Sequence, residues 1–235
     1  MIQTYSMVFW KRPFETDINE MTETSYAVLS LLKDYGRSLE PKYLTVRKKS
    51  EAKEFSLSKE SVRRLLENSI NKEGGREFPH LGRAIGFFSS LDDDWSCGIG
   101  FTIGASAKHI TNAVVIDLPI YYFNNIEEDI SGFDILFKDI VAVFSPFWGC
   151  VCSNISCKQF GYMLWNGDKP ISVHWMNYFS GTTVKSIGNR RFDSLRGLEK
   201  LKSGYYLKIQ DELFDAENPE HILLQKNINA QLGLQ

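Results

Sequence analysis

Two stretches of this sequence repeat their apolar residues at three- and four-residue intervals, and each is followed by several shorter runs separated by turn residues. Few architectures accommodate that order. From Asp17 onward, Ile18, Met21, Ser25, Val28 and Leu32 fall on one helical stripe that stops before Gly36. Ser131-Gly132-Phe133-Asp134 has the Ser-x-x-Asp form of a helix start, and Phe133, Leu136, Phe137, Ile140, Val141 and Phe144 make a broader stripe ended by Pro146. Residues 2–10 alternate as a strand ahead of the first stripe. Residues 84–88, 96–103 and 113–118 follow it as strands, with Asp92-Asp93-Asp94 as a turn and Pro119 as a stop. After the second stripe, residues 148–152, 162–165 and 172–178 read as strands, with Asn166-Gly167-Asp168 as a turn. An amphipathic helix must bury its stripe, and short strands in close succession pair antiparallel. The expectation is an α+β fold: a single domain over residues 1–235 built of two related halves, each a long helix packed on an antiparallel sheet, with possible halves at 1–122 and 123–235.

Smaller elements fit around this frame. Ser58 is placed to cap a helix, with Leu57 stapled to Val62 and Gly74-Gly75 closing it. Asp193 is expected to cap a short helix through Leu201, residues 205–209 to form a strand, and Asn218-Pro219-Glu220 to open a terminal helix. A hydrophobic share of 43% supplies a core and excludes a disordered or collagen-like chain. Only 4 Cys in 235 residues exclude a disulfide-stapled mini-domain. No apolar run approaches the roughly 18 to 20 residues needed to cross a bilayer, and residues 1–10 lack a basic leader followed by a long apolar block. A cytoplasmic chain without membrane association is therefore expected.

Linear motifs for catalysis or metal binding are weak. Glu51-Ala52-Lys53 matches the Glu-x-Lys half of a restriction-type nuclease site, but it lies in a charged stretch with no suitably placed Asp, and reads as a solvated face. Gly98-x-Gly100-x-x-x-Gly104 lacks the spacing and following helix of a nucleotide loop. No Gly-x-Ser-x-Gly is present, and Ser180-Gly181 does not replace it. His80, His109, His174 and His221 show no ligand spacing. Cys150-x-Cys152 would point two thiols to one face of a strand, yet with Cys97 and Cys157 the spacing does not form a zinc ribbon, and free, mostly buried thiols are expected. The linear scan offers no catalytic residue, metal site or cofactor site, although a site assembled in space would escape it; the expectation of a non-enzyme comes with the resemblance below.

Charge and aromatic placement carry more. The 27 Lys and Arg nearly balance the 29 Asp and Glu, so direct nucleic-acid binding is not expected. The balance is local: residues 37–76 hold eleven basic residues against six acids, whereas residues 91–135 hold eight acids, including Asp92, Asp93, Asp94, Glu127, Glu128 and Asp129, against Lys108 alone. Acidic loops are commonly just solvated, but carboxylates clustered on a rigid sheet also fit a binder of a basic, phosphate-seeking protein. Trp10, Trp95, Trp148, Trp165 and Trp175 sit in or beside the strands; most are expected in the core, and an exposed subset would anchor an interface.

Several phrases recur in a recognisable order: Phe9-Trp10-x-Arg12 before an acid-bearing helix, Ile85-Gly86-Phe87 before a Trp-containing turn, Asn112-Ala113-Val114-Val115-Ile116-Asp117-Leu118-Pro119, Pro146-Phe147-Trp148-Gly149, Trp175-Met176-Asn177-Tyr178-Phe179-Ser180, Gly204-Tyr205-Tyr206-Leu207 and Asn218-Pro219-Glu220-His221. Together they resemble the bacterial immunity protein 52 family over nearly the whole chain. Trp10, Arg12, Trp165 and Trp175 match its pattern, while the Lys-rich 47–53 stretch and the Asp-Asp-Asp-Trp turn depart from it. The resemblance implies a cytoplasmic α+β antitoxin of a polymorphic toxin system that binds and silences a secreted toxin with a restriction-endonuclease-like nuclease domain. The expected toxin-binding residues are Asp92, Asp93, Asp94, Trp95, Glu127, Glu128, Asp129 and Trp165. A surface around the basic 47–64 segment is the alternative within that class. An enzyme whose site is assembled from distant residues, or a binding module unrelated to toxins, stands outside it.

Overall fold

The computed structural model describes residues 2–36, 38–119, 121–123, 130–161 and 170–234. Strand β1 (Tyr5–Lys11) leads into α1 (Ile18–Tyr35), β2 (Tyr43–Leu44), α2 (Lys59–Asn68), a small hairpin of β3 (Lys72–Glu73) and β4 (Arg76–Glu77), and the meander β5 (Leu81–Phe88), β6 (Gly98–Ala105) and β7 (Asn112–Asp117). Helix α3 (Ile130–Phe144) then precedes β8 (Trp148–Ser153), α4 (Asn154–Phe160), β9 (Met176–Ser180), α5 (Gly181–Ile187), α6 (Asn189–Phe192), the hairpin β10 (Leu198–Lys200) and β11 (Gly204–Lys208), and α7 (Pro219–Leu232).

Local chemistry sets the helix ends. Asp17 accepts from the Asn19 and Glu20 amides, Ser58 from Ser61, and Asn218 from Glu220 with Pro219 in the first turn, each satisfying amides that have no intrahelical partner. At the other end of α3, Ser145 takes a left-handed backbone (φ 52°) and its amide donates to Val141 before Pro146 forbids another turn.

Strand β1 is apolar on both sides and lies at the centre of a nine-stranded sheet ordered β10-β11-β9-β8-β1-β7-β6-β5-β2, in which every neighbouring pair is antiparallel. The strands of the first half of the chain fall on one side of β1 and those of the second half on the other. The architecture is a single α+β domain, with the two long helices packed on one face of this sheet. Phe137 of α3 meets Phe9 of β1 at 5.0 Å between ring centroids, and Met21 of α1 occupies the space that a Gly104 side chain would need. The buried residues of α3 are Phe133, Leu136, Phe137, Ile140, Val141 and Phe144, the stripe read from its periodicity.

The two sides of the sheet differ. In β5, β6 and β7 burial alternates: Ile85, Phe87, Ile99, Phe101, Val114 and Ile116 lie under the helices, while Ala84, Gly86, Gly100, Thr102 and Val115 are half-buried or exposed. In β8 every residue is buried, because the second half also closes the opposite face; there Phe192 of α6 packs edge-on against Phe179, 5.3 Å away. A half-covered antiparallel sheet alternates and a fully covered one does not.

The region after Phe192 differs from the sequence reading. Asp193 follows α6 instead of opening a helix, and residues 198–200 form β10. Leu195, Leu198 and Leu201 have a helix-like spacing, but Gly197 turns the backbone left-handed (φ 72°) and Leu198 pairs across the hairpin with Leu207. Helices α4 and α5 were not anticipated; Ser153 and Ser180 cap them by accepting from the Ser156 and Thr183 amides. The strand and turn read at 162–168 lie outside the described residues.

Candidate functional site

The loop joining β5 to β6 is drawn tight at its neck, where the Ser89 amide donates to the Cys97 carbonyl at 3.0 Å and the Cys97 amide donates to Ser89 Oγ at 2.8 Å. Beyond the neck, Asp92 Oδ1 accepts from the Asp94 amide at 3.1 Å and winds residues 93–95 into one helical turn. Asp92, Asp93, Asp94 and Trp95 are all exposed as a result. Trp95 keeps 44% of its surface open and leans on Tyr121, 37% open, at 6.0 Å, with Leu91 exposed beside it in the same loop. Lys49 clasps the loop, pairing with the Asp93 carboxylate and donating to the Leu91 carbonyl at 3.0 Å.

Asp117, at the end of β7, pairs in register with Gly98 just past the loop neck, so its carboxylate belongs to the same end of the sheet; Ser6 Oγ donates to it at 2.6 Å. The structure thus brings together Asp92, Asp93, Asp94 and Trp95, four of the expected residues, and adds Leu91, Tyr121 and Asp117. Glu127, Glu128, Asp129 and Trp165 lie outside the described residues. Trp10, Trp148 and Trp175 are buried, and Trp10 stacks on Trp148 at 4.5 Å. Asp134, the last acid of the acidic stretch, turns away: it accepts from the buried Tyr206 hydroxyl and pairs with Lys138 at 3.1 Å.

The basic stretch is neutralised only in part, and Arg47, Lys48 and Lys53 stay exposed. Lys59 pairs with Glu23 at 2.6 Å, Arg63 with Glu67 at 2.9 Å, Lys72 with Glu77 at 2.8 Å, and Lys49 with Asp93. The Glu51-Ala52-Lys53 motif is an exposed segment at the end of a short helical turn.

The Ser156–His174 pair and the thiols of Cys97, Cys150 and Cys152 are sealed, while Cys157 is half-buried. Ser156 Oγ lies 3.2 Å from His174 Nδ1, a pair invisible in the linear sequence, but both residues are fully buried and Gln225 fills the position beside Ser156. Burial, opposed by the Gly161 backbone, lowers the His174 pKa to about 4, leaving a neutral structural ring. Burial pushes the Cys97 and Cys150 thiols up; neighbouring thiols raise the other two, Cys150 acting on Cys152 and Cys152 on Cys157. Thiols held protonated are poor nucleophiles. Ser180 is occupied as the cap of α5. Among the described residues, no group of three or more His, Cys, Asp and Glu is arranged to hold a metal ion, and no helix is long and apolar enough to cross a membrane.

The open side of β5, β6 and β7 forms a shallow groove of about 460 Å³ floored by Gly86, Gly100, Thr102, Ala113 and Val115. Thr45, just ahead of the Arg47-Lys48-Lys49 run, forms its wall. This surface was not anticipated, although its signal is present: small residues alternate with large ones along β6.

The whole chain is similar in fold to the Pseudomonas aeruginosa T6SS protein PA0821, with a TM-score of 0.62 over 98% of this chain and 73% of that one. Sequence identity is 10%, so the likeness is one of fold. No protein-family model matches the chain, and no curated protein sequence matches it.

Proposed function

We propose that this chain is a cytoplasmic immunity protein, of the kind the immunity protein 52 resemblance implies, that neutralises a cognate bacterial toxin by stoichiometric binding and transforms no substrate itself. The observation that carries this reading is the exposed Trp95–Tyr121 pair set among Asp92, Asp93 and Asp94 on a hydrogen-bonded loop, in a protein that buries its other described tryptophans. Trp and Tyr are enriched among the residues that anchor interfaces, and interface rims are polar. The fold shared with a T6SS protein supports the setting.

In this mechanism the acidic loop faces the basic nucleic-acid cleft of a nuclease-type toxin. Its carboxylates attract the cleft's Lys and Arg side chains during approach, and Trp95 and Tyr121 supply apolar contact once docked. Inhibition is steric, because the occupied cleft admits no nucleic acid. A stable complex would bury upwards of about 1,000 Å².

The test is co-expression with the product of the adjacent toxin gene. Wild-type chain restores growth, co-purifies with the toxin in a fixed ratio and abolishes its nuclease activity. A harmless neighbour, or turnover of a substrate by the purified chain alone, would overturn the reading.

A further inference from the structure

We infer that the surface formed by α5, α6 and the β10–β11 hairpin binds the phosphodiester backbone of duplex nucleic acid, without reading its sequence. This goes beyond the toxin-binding reading and does not depend on it. Net charge argues against such binding only where the charges are mixed, and here they are segregated. Residues 185–202 hold Lys185, Arg190, Arg191, Arg196, Lys200 and Lys202 against Asp193 and Glu199.

The fold gathers most of these cations on one surface. Glu199 of β10 reaches Lys138 of α3 at 2.6 Å and so points toward the long helices; by strand alternation its neighbour Lys200 points the other way. Lys200 pairs in register with Tyr205, whose ring meets Phe192 of α6 at 6.3 Å. The Gly181 amide donates to the Ser203 carbonyl at 3.1 Å, which sets Lys202, in the hairpin turn, beside the start of α5. Lys185 follows one helical turn later. Between α5 and α6 lies an open cleft of about 330 Å³ lined by Lys185, Gly188, Asn189, Arg190 and Arg191, with no carboxylate among them. Arg191 is held in place by donating to the Leu232 carbonyl at 2.5 Å.

Little offsets this charge. Lys185, Arg190, Lys200 and Lys202 are exposed and form no ion pair among the described residues. Glu199 is taken by Lys138 on the helix side, which leaves the exposed Asp193 as the acid of this segment; past residue 210, Asp211 is met by Lys208 at 3.2 Å. The Asp92–Asp94 loop hangs from β6, six strand spacings or about 29 Å from β10, several Debye lengths at physiological salt. The exposed cations of residues 47–53 differ, because Glu51 lies among them and Lys49 ties that segment to Asp93. Other polyanionic partners fit the face less well. None of the exposed large apolar side chains among the described residues lies within 181–208, so the face lacks the anchors of a protein interface and the apolar insertion of a membrane-bound one. Phe192 is buried and Tyr205 half-buried, so no open ring offers a stacking platform for single-stranded bases. Cations without apolar anchors suit a phosphate backbone, where affinity comes from counterion release.

The test is fluorescence anisotropy of the full-length chain with a labelled DNA duplex of about 20 base pairs and arbitrary sequence. With Lys185, Arg190, Lys200 and Lys202 each meeting a phosphate, affinity should fall by about 150-fold between about 50 and 200 mM salt. The double variant Arg190→Gln, Lys200→Gln changes two exposed, unpaired side chains and should keep the wild-type melting temperature. It should bind about tenfold or more weakly at about 50 mM salt, and its affinity should fall by only about 12-fold over the same range. A wild-type chain that does not bind the duplex at about 50 mM salt overturns the inference, and so does a double variant with the wild-type salt dependence. Tighter binding to poly-glutamate or to phosphatidylserine vesicles than to the duplex would give the face to an acidic protein or a membrane, and overturns it as well. Toxin neutralisation in co-expression is a separate readout, so either reading can fail while the other stands.

Discussion

His174 makes the stability of this protein depend on pH between about 4 and 6.5. Its ring is fully buried beside Trp148 and Ser156, and burial, the largest cause, lowers its pKa to about 4 from the ordinary 6.5. Between those two values the unfolded chain carries a proton on this residue and the folded chain does not. Acid therefore favours unfolding, and stability rises with pH through this window. From the two pKa values, the linkage relation makes the folded state about 1.4 kcal/mol less stable at pH 5.5 than at pH 7.5, and about 2.5 kcal/mol less stable at pH 4.5. Against a total stability of about 5 to 15 kcal/mol, that is a large fraction.

Urea titrations at pH 7.5, 6.5, 5.5 and 4.5 measure the effect, comparing the wild type with His174→Gln. The variant is expected to start less stable, because the ring's packing is lost. The quantity of interest is the slope. Carboxylates titrate alike in both proteins, so the difference between the two curves isolates His174, and it should shrink by about 2.5 kcal/mol from pH 7.5 to pH 4.5. Parallel curves would refute the argument that this ring is buried neutral.

Phe137→Ala removes a fully buried ring that meets Phe9 at 5.0 Å and Tyr206 at 5.7 Å, and should cost about 3 to 5 kcal/mol in chemical denaturation. Because α3 packs on β1, the strand hydrogen-bonded to both sides of the sheet, one transition should move as a whole; a second transition left in place would contradict a single cooperative sheet. Replacing Asp92, Asp93 and Asp94 together by Ser should slow association with the toxin by about tenfold or more at low salt and flatten its salt dependence, since steering acts through unscreened charge. An unchanged association rate would retire the acidic loop as the steering element.

The candidate site was half legible in advance. Asp92, Asp93, Asp94 and Trp95 are neighbours in sequence, and a turn rich in Asp between two strands is necessarily exposed. Tyr121 and Asp117 join them only because β7 returns beside β6, a contact across some twenty-five residues that no short window contains. The tryptophans illustrate the same limit. Trp95 follows three Asp residues and is open, as its neighbours suggest, but that Trp148 is sealed on both sides is decided by the layer that covers β8, which no neighbouring residue announces.

What the sequence determined by itself is whatever acts within a few residues along the chain. The stripes of α1 and α3, the caps at Asp17, Ser58 and Asn218 and the alternation of β6 are of that kind, since helix and strand geometry repeat over two to four positions. Tertiary structure alone decided that β1 lies at the centre, that Ser156 and His174 meet where solvent cannot reach, and that, among the described residues, the face of β5, β6 and β7 away from the helices stays open. Those outcomes depend on which apolar surfaces find each other across the whole chain, and burial is a property of the assembled layers rather than of any segment within them.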